Sequence, residues 1–105
     1  MKEAVFDPQQ DGWQIMTFRA ATDADVHADH WEVHTTADEV VACLAGEIRM
    51  HFHPDADGAA EDVRLSAGSA VVVPRGAWHR IALVSPAEVM SVTVPSGSRL
   101  APVRP

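Results

Sequence analysis

One cysteine, few basic residues and no long apolar run mark this chain, and each shortage removes a class of protein. A lone Cys43 excludes an internal disulfide framework and any paired-cysteine zinc or redox motif. Set among Val40, Val41, Ala42 and Leu44, it reads as a small core residue, since a reactive thiol needs an electropositive setting. No stretch approaches the roughly 20 consecutive apolar residues of a membrane-spanning helix. The N-terminal MKEAVFDPQQDGW carries no apolar run ahead of a small-residue cleavage site, so a cytoplasmic location is expected. Lys and Arg number 8 against 15 Asp and Glu, a formal net charge of -7 with the histidines neutral. That field repels a phosphate backbone and no basic cluster offsets it locally, so neither nucleic acid nor an anionic membrane is an expected partner.

What remains is an ordinary globular composition. The 105 residues are 47% hydrophobic and 22% charged, which suits one domain over residues 1–105 and is too apolar for disorder. Six histidines are the unusual component, and they make the charge sensitive to pH near neutrality.

Strand-period patterns dominate. Trp13–Ala20 follows the Asp11-Gly12 turn signal and is rich in β-formers. His30–Thr35 alternates Trp31 and Val33 against His30, Glu32 and His34. Glu39–Leu44 is apolar. Glu47–His53 sets Ile48, Met50 and Phe52 against Glu47, Arg49, His51 and His53, and with Ala45-Gly46 between them the two segments read as a β-hairpin. A polar loop at Pro54–Gly58 precedes strands around Val63–Leu65 and Ala70–Val73, the second closed by Pro74-Arg75-Gly76. Trp78–Val84 and Glu88–Val94 are the last strands; the tail Pro95–Pro105 reads as irregular or edge-bound, and Ala20–Ala28 as a loop or one helical turn. Seven or eight short strands at roughly ten-residue spacing predict a sandwich or barrel, with its core over about residues 13–94. Gly46, Gly68 and Gly76 read as turn residues at its rim.

The chemistry lies in the middle strands. Glu32 and His34 are two apart and leave the same strand face, so both can reach one ion. Glu39 follows a Thr-Thr-Ala-Asp turn able to fold it back beside His34, and His79 follows the Pro-Arg-Gly turn. Two imidazoles and a carboxylate suit non-haem Fe(II), and equally Zn, Mn, Ni or Co, with open positions for a ligand. A single strand histidine is more often a surface or core residue than a ligand; it is the two segments together that point to a metal. His30 lies four residues from His34, roughly 13 Å along a strand, too far to share its ion. His51 and His53 read as a solvated face, and Trp13, Trp31 and Trp78 as core or subunit-contact residues. Val41, Cys43 and Ile81 share parity with Glu39 and His79 and are expected to line the pocket, whereas Arg80 has the parity to face away.

These residues resemble the cupin superfamily. Glu32-Val33-His34, four residues, Glu39, six residues and Gly46 fit its first motif, and Gly68, Pro74, Gly76 and His79 fit its second without gaps. The resemblance spans about Ala28 to Val94 and implies a jelly-roll barrel, the double-stranded β-helix. It carries a ligand role onto His34, Glu39 and His79. Glu32 stands where the family has its first histidine; Val26 and Leu83 replace the first motif's leading glycine and the second motif's terminal asparagine. Glu32 is thus a metal ligand by position, or a base, or a group that orients an imidazole; a degenerate site holding no metal is the remaining alternative. Family members include dioxygenases, sugar-phosphate isomerases and decarboxylases, and many small ones are homodimers. The resemblance therefore implies a divalent metal ion, a small oxygen-rich ligand and a dimer. Whether the protein is a metal-dependent enzyme, such as a dioxygenase or isomerase, or a binding or sensing module is left open at this level.

Overall fold

The computed structural model describes residues 11–54 and 61–103. Its strands are β1 (Gln14–Ala20), β2 (His30–Val33), β3 (Glu39–Ala45), β4 (Glu47–Phe52), β5 (Glu61–Ser66), β6 (Ser69–Val73), β7 (His79–Leu83), β8 (Ala87–Thr93) and β9 (Arg99–Pro102). Burial alternates along several of them: β8, for example, buries Ala87, Val89, Ser91 and Thr93 while the residues between stay half-buried. The strands form two antiparallel sheets, a four-stranded one in the order β1-β8-β3-β6 and a five-stranded one in the order β5-β4-β7-β2-β9. This is a jelly-roll barrel, as the spacing of strands and the motif resemblance predict. Of the expected polar loop, residues 55–60 lie outside the described residues. No helix among the described residues is long and apolar enough to cross a membrane.

Ala20–Ala28 holds one 3-10 turn, Asp23–Val26. The tail supplies β9, which pairs with β2 from His30↔Pro102 to Val33↔Arg99, so the five-stranded sheet runs past residue 94.

The β3–β4 hairpin is not formed. β3 pairs with β6 and β8, while β4 pairs with β5 and β7, so Ala45-Gly46 is a corner that passes the chain from one sheet to the other. A tight turn and a corner share the same local signal, a small residue followed by glycine with positive φ; what separates them is the neighbour. Gly46 has φ +77, and a Cβ there would lie 2.0 Å from the Pro86 carbonyl oxygen.

The two inner faces meet in a core of Val41, Cys43, Ile48, Met50, Leu65, Val73, Ala87 and Val89, each less than a tenth exposed. Burial of each larger side chain contributes about 1.5–3 kcal/mol. This packing fills one end of the barrel and leaves the other end open for polar groups.

The corner gives a stability test. Gly46→Ala meets both the left-handed penalty and the Pro86 backbone, whereas Gly68→Ala, at φ +89 with nothing within 4 Å of its added Cβ, meets only the first. Urea unfolding will show Gly68→Ala losing about 1–2 kcal/mol and Gly46→Ala losing clearly more.

Candidate metal centre

Three segments bring four donors to the open end of the barrel. Glu32 points inward from β2, which pairs with β7 at Glu32↔His79, so these two residues are cross-strand neighbours. His34 follows directly after β2 and is 2% exposed. Glu39 opens β3 and is 6% exposed.

The connections between these residues are fastened by hydrogen bonds. The Gly76 amide donates to the His34 carbonyl at 2.9 Å, and the Arg75 amide donates to Asp38 Oδ1 at 2.8 Å. Thr93 Oγ1 donates to the Asp38 carbonyl at 3.0 Å. Thr35 and Thr36 donate to the carbonyls of Gly97 and Ser96 at 3.0 and 2.7 Å. The turn before Glu39, the turn before His79 and the loop before β9 are thus tied together behind the site.

The four facing atoms are Glu32 Oε1, His34 Nε2, Glu39 Oε1 and His79 Nε2. His34 Nε2 lies 3.2 Å from both carboxylate oxygens; His79 Nε2 lies 2.9 Å from Glu39 and 3.9 Å from Glu32. All four donors fall within 4.8 Å of one another. Ligand bonds of about 2.0–2.2 Å place adjacent donors of one ion roughly 3 Å apart and opposite donors roughly 4 Å apart. The four histidine–carboxylate distances have that spacing.

The outward nitrogens support the same reading. His79 Nδ1 donates to the Ala77 carbonyl at 2.9 Å, which orients the ring with its Nε2 toward the carboxylates. His34 Nδ1 lies 2.7 Å from Ser98 Oγ. The sequence reading missed both partners. Ala77 was within reach, two residues before His79; Ser98, 64 residues after His34, leaves no local signal.

Burial drives the His34 pKa down, but the Glu32 and Glu39 carboxylates outweigh it and hold it at about 9. Burial pushes the Glu39 carboxyl up, and hydrogen bonds from His34 and His79 more than reverse this, to about 2. Without a metal, a proton on the imidazole does what a cation would do. Glu32, with a side chain 32% exposed, is the donor nearest solvent.

A cavity of about 210 Å³ opens beside the cluster, with Glu32, Glu39 and His79 in its wall and apolar cover from Met16, Phe18, Ile81 and Leu100. Ile81 lines it as expected. Val41 and Cys43 do not: their inward parity is right, but both are 0% exposed in the packed core, because parity gives direction and not depth. Arg80 is a correction in the other sense. It borders the cavity, while its guanidinium donates to the Ala28 carbonyl at 3.2 Å and lies over the Trp31 ring. His30 also borders the cavity but stands outside the four-donor cluster. His51 is on a solvated face, paired with Asp62 at 2.7 Å.

Residues 17–94 match the family model described as "Cupin domain". The chain belongs to the cupin family. No curated protein matches it. Among solved structures, the cupin resembles peruvianin-I, a cysteine peptidase from Thevetia peruviana latex, with 18% identity and a TM-score of 0.69, covering 89% of this chain and 58% of that one. A cupin superfamily protein from Desulfitobacterium hafniense matches with 22% identity and a TM-score of 0.62, covering 82% and 70%. Bacillus subtilis oxalate decarboxylase, a protein with Mn(II) centres, matches with 14% identity and a TM-score of 0.65, covering 89% of this chain and 24% of that one. The cupin therefore spans little more than half of the first of these relatives and a quarter of the last. At these identities the likeness is one of fold.

The two shifted groups set a pH window for the metal-free protein. Glu39, lowered from 4.5 to about 2, contributes stability that is present above pH 4.5 and lost as pH falls toward 2. His34, raised from 6.5 to about 9, contributes stability that is present below pH 6.5 and lost as pH rises toward 9. In EDTA, the urea midpoint will be highest between these limits and fall on both sides. His34→Gln will flatten the alkaline side.

Proposed function

We propose that this cupin binds one divalent metal ion through Glu32, His34, Glu39 and His79, and that its cavity admits a small, oxygen-rich molecule to that ion. The carrying observation is the convergence of four lone-pair donors, with the outward nitrogen of each imidazole engaged elsewhere. Two carboxylates and two neutral imidazoles carry a charge of -2, which a divalent ion cancels. The set is hard and anionic and suits Mn, Fe or Zn before softer metals, with Ni and Co also compatible. The fold shared with oxalate decarboxylase makes manganese the first ion to try.

When bound, the metal supplies a Lewis acid for substrate oxygens. The chain's own groups do the rest. Ser98 and the Ala77 carbonyl hold the two imidazoles in one orientation. Met16, Phe18, Ile81 and Leu100 limit water around the open side. Glu32, the most exposed donor, is placed either to ligate or to take a proton from a molecule in the cavity.

Metal analysis of tag-free protein tests the reading. Near-stoichiometric divalent metal is expected, with loss in His34→Ala and in His79→Ala; metal retained by both variants would sink the proposed site. Ser98→Ala will weaken metal affinity roughly 10–100-fold without removing a ligand. Glu32→Gln separates the two roles: a fall in metal content marks a ligand, and unchanged content with lost turnover marks a base.

A further inference from the structure

Among the described residues, five polar side chains are buried: His34, Glu39, His79, Ser91 and Thr93. Buried polar groups are normally hydrogen-bonded, so each asks for a partner. His34, Glu39 and His79 face one another in the donor cluster. Thr93 Oγ1 donates to the Asp38 carbonyl at 3.0 Å. Ser91, 8% exposed, makes no side-chain hydrogen bond to any described residue. It is the one left over, and it lines the cavity.

Register fixes where it stands. Ser91 lies on β8 between Met16 of β1 and Val41 of β3. Val41 is two residues beyond Glu39 and shares its face, so Ser91 is a diagonal neighbour of Glu39 across β3 and β8. Such neighbours stand roughly 7–8 Å apart. A molecule of a few atoms that meets the donor cluster at one end therefore reaches Ser91 with the other. Met16, Phe18, Ile81 and Leu100 make the wall around it apolar.

The remaining polar groups of the cavity are exposed or half-buried, and three of them are engaged elsewhere. Asp25 Oδ2 accepts the Ala21 and Thr22 amides at 2.8 and 3.1 Å. His30 Nδ1 lies 2.9 Å from Asp29 Oδ1, and Arg80 donates to the Ala28 carbonyl. His27 is exposed.

We infer that Ser91 binds the cavity's ligand, and that the group it binds is a neutral oxygen, a hydroxyl or a carbonyl. This rests on the metal-site reading for the other end of the ligand and names the function that end must be joined to. A serine hydroxyl both donates and accepts, so it serves either kind of oxygen. It carries no charge. With Met16 and Val41 on its two sides, a carboxylate brought to it would be buried without a counter-charge. Glu32 and Glu39 in the same cavity wall add repulsion. The ligand class is thus a short acid with a hydroxyl or oxo group, its carboxylate toward the donors and its neutral oxygen on Ser91. A dicarboxylate does not fit.

Isothermal titration calorimetry on manganese-loaded, tag-free protein tests this with three chain-matched acids. These are 4-hydroxybutyrate, pentanoate and succinate, which end in a hydroxyl, a methyl and a second carboxylate. Wild type will bind 4-hydroxybutyrate roughly 5–10-fold more tightly than either of the others. Ser91→Ala will keep wild-type metal content and circular dichroism, and will bind 4-hydroxybutyrate and pentanoate alike. Equal wild-type affinities for these two overturn the inference, as does a hydroxyl preference that survives Ser91→Ala. Tighter binding of succinate than of 4-hydroxybutyrate overturns it, and so does binding of none of the three. Protein that takes up no metal overturns the metal reading instead. The contrast between hydroxyl and methyl is then read on the metal-free protein: its presence in wild type and loss in Ser91→Ala upholds the role of Ser91, and its absence overturns it.

Discussion

Burying carboxylates without neutralising them is among the most costly things a protein interior can do, and the open end of this barrel is organised around that constraint. Glu39 is 6% exposed and, among the described residues, pairs with no lysine or arginine; its oxygens face two imidazoles. That arrangement is tolerable only when a positive charge sits among the four groups. A proton on His34 supplies one such charge, and a divalent ion supplies two. The fastened turns behind the site follow from the same demand. If the segment before Glu39 shifted, the carboxylate would be left buried with nothing to offset it. Hence Asp38 caps the Arg75 amide and the His34 carbonyl takes the Gly76 amide, which holds the two motif segments at a fixed distance.

The same barrel splits its length between two jobs. Glu39, Val41 and Cys43 all point inward from β3, yet the first meets histidines and the others meet Ile48, Met50 and Val89. Depth along the strand therefore decides whether an inward residue is chemical or structural. The packed end gives the rigidity that a metal site needs, since donors must be held within about half an ångström of their working positions.

How much of this the sequence carries depends on the range of each signal. Period-2 alternation is local, so strand positions were legible to within a residue or two. Motif spacing made legible the four residues that the structure brings together; that Glu32 and His79 meet across β2 and β7 was not legible. Three further features were not legible, each for a physical reason. Ala45-Gly46 has the composition of a hairpin turn, and only the Pro86 carbonyl packed against Gly46 makes it a corner. Val41 and Cys43 were placed in the cavity because parity was read without depth. Ser98 reaches His34 from a tail whose strand β9 is set by its partner β2 and not by any strong pattern of its own.

Glu32 is where these considerations meet. A histidine at this position would leave the cluster with one carboxylate; Glu32 adds a second, so the site asks for one more unit of positive charge. The added charge sits at the least buried of the four positions, where water lowers the cost of holding it. The departure from the family pattern is thus placed where the barrel can bear it. It also puts the extra carboxylate in the cavity wall, in reach of whatever enters. On the proposed reading, Glu32 as a ligand would make a bound ion a weaker Lewis acid toward an incoming oxygen, and Glu32 off the ion would be a nearby acceptor for that oxygen's proton.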